Sequence, residues 1–210
     1  MLTIRTISAP LSHEAEKIRG SRFIAHLSPV ETAAGASDFV EAVRAEFAGA
    51  THNCFAWRIT DRDDGFRYSD AGEPSGSAGR PMLDEIAGEG LVRVAAVVTR
   101  YFGGTKLGKG GLMRAYSGAV RLALDRAEIL EIPVTRSVEL RFAYPLTGAV
   151  EAVLAAHRLE SSSADYGADV RMLVAVPIER LDTLVRELGE RGSGRVRITP
   201  ENAAGADAPR

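Results

Sequence analysis

The sequence predicts an α+β protein built from two domains, and three observations carry that reading. The 210 residues are 45% apolar and 26% charged, ordinary globular composition with enough apolar content for two cores. Pro133 closes a long first pattern, and a shorter second one begins there. That second pattern orders its elements β-α-β-β-α-β, the split βαβ plan of a ferredoxin-like sandwich. The predicted domains are therefore 1–132 and 133–200, with 201–210 a flexible tail that has no packing residue.

Taken in order, Leu2 to Pro10 and Ser21 to Val30 read as strands, the second with Phe23 and Ile24 between polar neighbours. Ser37 is the predicted cap of an amphipathic helix in which Phe39, Val40, Val43 and Phe47 recur at helical spacing, with Gly49 near its end. Phe55, Trp57 and Ile59 alternate with Cys54, Ala56 and Arg58 in a strand, and Asp64-Gly65 marks a hairpin turn into Phe66 to Tyr68. Ser69 to Pro81 (SDAGEPSGSAGRP) is too rich in Gly, Pro and Ser for a regular element and reads as a long loop. A short helix, Pro81 to Ala87, precedes the apolar run Leu91 to Tyr101, a central strand buried on both faces. The glycine-rich segment Phe102 to Gly111 leads into a helix from Leu112 to Glu128, with Leu112, Tyr116, Ala119, Val120, Ala123 and Leu124 facing inward. Beyond Pro133 the elements are strand Ser137 to Ala143, helix Leu146 to His157, strands Ser161 to Tyr166 and Asp169 to Val176, helix Ile178 to Gly189 and strand Gly194 to Thr199.

Composition narrows the function. No apolar run approaches the roughly 20 residues that span a bilayer, and Met1 to Pro10 carries no apolar signal segment, so a cytoplasmic protein with no membrane partner is expected. The single cysteine, Cys54, forms no intramolecular disulfide or cysteine-based zinc knuckle. Net charge is −2, yet Gly90 to Leu124 holds Arg93, Arg100, Lys106, Lys109, Arg114 and Arg121 and no carboxylate. Lys106 and Lys109 are two of only three lysines in the chain.

Those cations surround the strongest motif. Gly103 to Lys109 fits G-x-x-x-x-G-K, the opening of a phosphate-binding loop, between a strand and a helix. The next position is Gly110, where nucleotide hydrolysis needs a Ser or Thr hydroxyl on the metal, so an NTPase is not expected. What remains is an anion site in which Gly103, Gly104, Gly108, Gly110 and Gly111 expose backbone N–H groups and a helix N-terminus beside Lys106 and Lys109. Arg100, Tyr101, Phe102, Arg114 and Tyr116 interleave charge with aromatic rings, as a nucleic-acid surface does. Tyr116 lies on the helix's apolar stripe and Phe102 ends the core strand, which assigns those two to the core.

A second candidate group is His52, Asp70, Glu73 and Ser75. Asp70 and Glu73 are two carboxylates in one loop, a spacing open to acid–base work, a metal or neither. His52 and Cys54 share one strand face, as a nucleophile and its base would, but no adjacent carboxylate orients the histidine; a half-buried strand cysteine is the default. Neither Ser75 nor Ser77 sits in a G-x-S-x-G elbow. Asp61, Asp63 and Asp64 miss the calcium-loop register, because Gly65 comes one position early, and they read as turn residues. Nothing in the sequence requires a cofactor or a metal.

His52 with Ala56, DAGEPSGSAGRPML (Asp70 to Leu83) and VVTRYFGGTKLGKGGLMRAYSGAV (Val97 to Val120) closely resemble the signature blocks of the YigZ/IMPACT family, and SRFIA (Ser21 to Ala25) resembles its N-terminal block. The resemblance covers residues 1 to about 130; beyond that it rests on element order. It implies an N-terminal domain with the fold of a ribosomal small-subunit protein, elongation factor G domain IV and RNase PH. It also implies a C-terminal domain like elongation factor G domains III and V. Eukaryotic members control translation through protein partners without known catalysis, and bacterial members are proposed ribosome or nucleic-acid binders. Two departures stand out: the usual D-D-G-E-P is Asp70-Ala71 here, and the extra partner-binding domain of the eukaryotic regulators is missing. The combined expectation is a non-enzymatic RNA- or ribosome-associated translation regulator. The alternatives are a protein-interaction regulator that docks through Asp70 to Pro74, or an enzyme on a phosphorylated or nucleotide substrate with His52 or Glu73 as acid or base beside the glycine loop.

Overall fold

The structure, a computed structural model, describes residues 2–60 and 65–200. The Asp64-Gly65 turn, the acidic group at 61–64 and the tail from 201 lie outside the described residues. The chain divides into two compact units, Ile4–Ile132 and the residues from Pro133 on, which Thr3 and its predecessors join.

The first unit places β1 (Thr3–Ile7), β2 (Leu11–Glu14), β3 (Arg22–Pro29), α1 (Ala33–Glu46), β4 (His52–Arg58), β5 (Phe66–Ser69), α2 (Gly79–Gly88), β6 (Val94–Tyr101), α3 (Lys109–Leu124) and β7 (Ile129–Pro133) in chain order. The strand read from Leu2 to Pro10 is β1, which pairs with β7, whereas β2, which the sequence reading did not predict, follows it and opens the main sheet. That sheet runs β2-β3-β6-β4-β5 with antiparallel neighbours throughout. A continuous apolar run such as that of β6 is more often the mark of a parallel strand. Here it belongs to an antiparallel one because helices cover both faces. Ala95 and Val97 pack with Val40 and Val43 of α1, while Val94, Ala96 and Val98 meet Met82 and Ile86 of α2 and Ala115, Tyr116 and Ala119 of α3. Tyr116 and Phe23 are fully buried, each adding roughly 1.5–3 kcal/mol of apolar burial, with rings edge to face at 5.3 Å.

Two helix starts differ from expectation. The cap of α1 is Thr32, whose extended backbone lets its hydroxyl accept the Gly35 N–H at 3.1 Å. Ser37 sits one turn inside, donating to Ala33 O. Ala33 to Gly35 carry no apolar signal, so periodicity alone starts the helix too late. Likewise α3 begins at Lys109, before the Leu112 that opens its apolar stripe, and stops at Leu124 because Ile129 belongs to β7. α2 begins at Gly79, ahead of the expected Pro81.

The second unit comprises β8 (Thr135–Phe142), α4 (Thr147–Ala156), β9 (Ser161–Tyr166), β10 (Val170–Pro177), α5 (Leu181–Arg191) and β11 (Arg197–Pro200). Its sheet runs β11-β8-β10-β9, each pair antiparallel, which is the ferredoxin-like arrangement expected from element order. Val138, Leu140 and Phe142 alternate inward from β8, as do Val170, Met172, Val174 and Val176 from β10. They meet Val150 and Val153 of α4 and Leu184 and Leu188 of α5.

Candidate nucleic-acid interface

The loop Asp70 to Ala78 is ordered by its first residue. The Asp70 carboxylate accepts backbone N–H bonds from Gly76 at 2.8 Å and from Ala78 and Gly79 at 2.9 Å each. It thus serves the start of α2, whose own N-cap, Ala78, has no side-chain acceptor. Burial pushes the Asp70 carboxyl upward, but the three amides and nearby Lys109 together hold it below its ordinary value.

The same loop turns Glu73 inward. Its Oε1 accepts from Arg100 Nη1 at 2.6 Å and from the Tyr116 hydroxyl at 2.7 Å, joining the loop to β6 and α3. The side chains of Arg100 and Glu73 are only 5% and 3% exposed. Arg100 also reaches Ser21 Oγ at 3.4 Å, and its Nε, like Ser77 Oγ, is buried without a partner. From β4, His52 donates through Nδ1 to Ala71 O at 2.9 Å, since a carbonyl only accepts, and points Nε2 at Glu73 Oε1 from 3.9 Å. Cys54 donates Sγ–H to Asp70 O at 2.9 Å. Burial pushes the Cys54 thiol up to about 12, so it stays protonated near neutral pH and is no nucleophile. Burial, then Cys54 and Glu73, also push the Tyr116 phenol above its usual range.

The glycine-rich segment is pinned against this core at its start and open beyond. Phe102 N–H donates to Thr51 Oγ1 at 3.0 Å and Gly103 N–H to Ser21 Oγ at 3.1 Å. Gly103 has no alternative residue: a Cβ there would lie 1.9 Å from the Gly20 carbonyl carbon. Gly108, at φ +71°, turns the chain into α3 and supplies no side-chain cap, so the first amides of the helix have no side-chain acceptor among the described residues. Lys106, Lys109 and Arg114 are exposed around that end and form no ion pair among the described residues.

The other cations of the run are committed elsewhere. Arg93 pairs with Glu31 at 3.0 Å, and Arg121 with Glu89 and with Asp125 at 3.0 Å. Arg100, expected on the binding surface, is instead buried in the Glu73 pair: it lies on a strand whose neighbours are covered on both sides, and burial of a guanidinium demands a carboxylate. Phe102, assigned by sequence to the core, is 47% exposed, because β6 ends one residue before it. Tyr116 is buried as expected, but its hydroxyl bonds Glu73. Of the second candidate group, Glu73 is buried, His52 and Asp70 are half-buried and bonded to the loop backbone, and Ser75 is exposed. The Asp70 carboxylate is spent on backbone amides and that of Glu73 on Arg100 and Tyr116, and no group of three or more His, Cys, Asp or Glu side chains among the described residues is placed to hold a metal ion. Sequence reasoning missed Ser21 and Thr51, whose hydroxyls hold the glycine segment. Lys109 Nζ lies 3.9 Å from where a Cβ on Gly76 would stand, so the two loops form a single surface.

Comparison with known proteins gives matches for both units. Residues 19–124 match the model of the Impact N-terminal domain, and residues 140–195 match a domain of unknown function, DUF1949. IMPACT family member YigZ of Escherichia coli is 36% identical over 185 residues, covering 87% of this chain and 91% of that protein. IMPACT family member YvyE of Bacillus subtilis is 42% identical over 134 residues, 64% of this chain and 62% of that one. A solved structure described as that of a hypothetical protein superposes with a TM-score of 0.75 at 34% identity, covering 97% of this chain and 99% of its own. With both segments matched and relatives aligned across most of its length, the chain belongs to the IMPACT family.

Proposed function

We propose that this protein binds RNA, on the ribosome or its factors, and regulates translation without catalysing a reaction of its own. The observation that carries the reading is the N-terminus of α3, which has no side-chain cap, together with three exposed cations, Lys106, Lys109 and Arg114, that form no ion pair among the described residues. Free amides at a helix start and unpaired ammonium and guanidinium groups suit phosphate oxygens. The alternative, docking of a protein through Asp70 to Pro74, is less favoured, because the Asp70 carboxylate is spent on the amides of Gly76, Ala78 and Gly79 and the Glu73 side chain is only 3% exposed. An enzyme on a phosphorylated or nucleotide substrate with His52 or Glu73 as acid or base is less favoured, because His52 Nδ1 is bonded to Ala71 O and Glu73 Oε1 to Arg100 and Tyr116.

The test is fluorescence anisotropy of labelled RNA across a salt series, beside a Lys106→Glu/Lys109→Glu variant. Wild-type affinity should fall linearly on a log–log plot with salt, and the variant should bind far more weakly with a slope shallower by about 1.4, some 0.7 per lost contact to a single strand. Equal affinity and equal slope in the two proteins overturn the proposal.

A further inference from the structure

Phe102 is the one large apolar side chain that the glycine-rich segment exposes, and it is 47% open. It is held firmly all the same. Its own N–H is bonded to Thr51 and the next N–H to Ser21, while Gly103 rests on the Gly20 backbone. One side of the ring is backed by the Arg100 guanidinium at 5.5 Å from the centroid, and that guanidinium also lies 5.5 Å from the Phe23 ring. Arg100 in turn is fixed by its pair with buried Glu73. A phenyl ring that is anchored at its base, supported underneath by a fixed cation and 47% open to solvent is a platform for another flat π-system. The same loop carries Lys106 and leads to Lys109, so phosphate-binding charge lies within a few residues of the ring.

Resting on the RNA-binding reading above, we infer that Phe102 stacks on an unpaired nucleobase and that the preferred ligand is single-stranded RNA. A base within a duplex has both faces occupied by its neighbours, whereas a splayed base offers its π-face to the ring while its flanking phosphates meet Lys106, Lys109 and the start of α3. The charge complementarity of that loop selects a polyanion over a second copy of this chain, which shows the same positive surface.

The test uses the full chain with single-stranded RNA containing 2-aminopurine, whose fluorescence falls on stacking, and a duplex of the same length. Wild type should bind the single strand more tightly and quench it. Phe102→Ala should lose the quenching and about 5- to 150-fold of single-strand affinity, with duplex affinity and salt slope unchanged, and Phe102→Tyr should restore both losses. Trp57 fluorescence confirms that the variants fold. If Phe102→Ala keeps the quenching and affinity while Lys106→Glu/Lys109→Glu loses binding, the stacking role is refuted and RNA binding stands. If wild type binds neither RNA, both proposals fail. A dimer that dissociates in Phe102→Ala by sedimentation velocity reassigns the ring to a contact between copies and overturns the inference.

Discussion

Substitution of Glu73 probes the centre of the first unit. Glu73→Ala leaves the Arg100 guanidinium buried with only Ser21 Oγ at 3.4 Å, since its Nε already lacks a partner, and it also strips the Tyr116 hydroxyl of its acceptor. Breaking one side of a buried ion pair costs about 3–5 kcal/mol, and an orphaned buried hydroxyl about 1–3 kcal/mol. These overlap, because one carboxylate oxygen serves both donors and water can enter the emptied loop, so a net loss of about 4 kcal/mol is expected. For a unit of this size that lowers Tm by roughly 12–20 °C. Glu73→Gln keeps an acceptor for both donors but not the charge, and should fall between. Trp57, the only tryptophan, lies on β4, so its fluorescence in urea follows this unit alone. Arg100→Met in the Glu73→Ala background should recover much of the loss, because removing both charges leaves none uncompensated. A Glu73→Ala loss below about 1 kcal/mol, or losses that simply add in the double variant, would show that the pair does not hold the loop and refute the argument.

Three other outcomes are expected. Gly103→Ala should destabilise by about 3 kcal/mol or more, since its Cβ meets backbone at 1.9 Å, while Gly118→Ala in α3, where nothing lies within 4 Å, should stabilise by up to about 1 kcal/mol; urea midpoints compare them. Cys54 should resist a disulfide reagent at pH 8 until the protein unfolds. Because its folded value of about 12 lies above the ordinary 9.0, its contribution is complete below pH 9 and is lost as pH rises from 9 to 12, a loss that Cys54→Ala removes. Asp70, held below its ordinary 3.8, contributes stability above that pH and loses it as pH falls through the lowered value; Asp70→Asn should lower stability at pH 7 and flatten the acid limb in pH-dependent unfolding.

The sequence by itself determined what is local. Alternation over β8 and β10, the helical spacing of Val40 and Val43 or of Tyr116 and Val120, and the element order after Pro133 each follow from periodicities of two or 3.6, so the α+β class and the ferredoxin-like sheet could be read directly. The motifs also placed the glycine segment between a strand and a helix, where α3 indeed starts. Caps were harder, because Thr32 and Gly108 stand outside the apolar pattern that announces their helices. Only the tertiary structure decided which charges are free. Arg100 and Arg114 look alike in sequence, but Arg100 meets a carboxylate 27 positions upstream and is buried, while Arg114 is exposed and meets none among the described residues. The outward display of Phe102 likewise depends on hydroxyls from Ser21 and Thr51, far away along the chain. Pairing and exposure are properties of residues brought together across the sheet. No spacing along one strand encodes them, because the energy of a charge or a ring is set by what lies within a few ångströms in space.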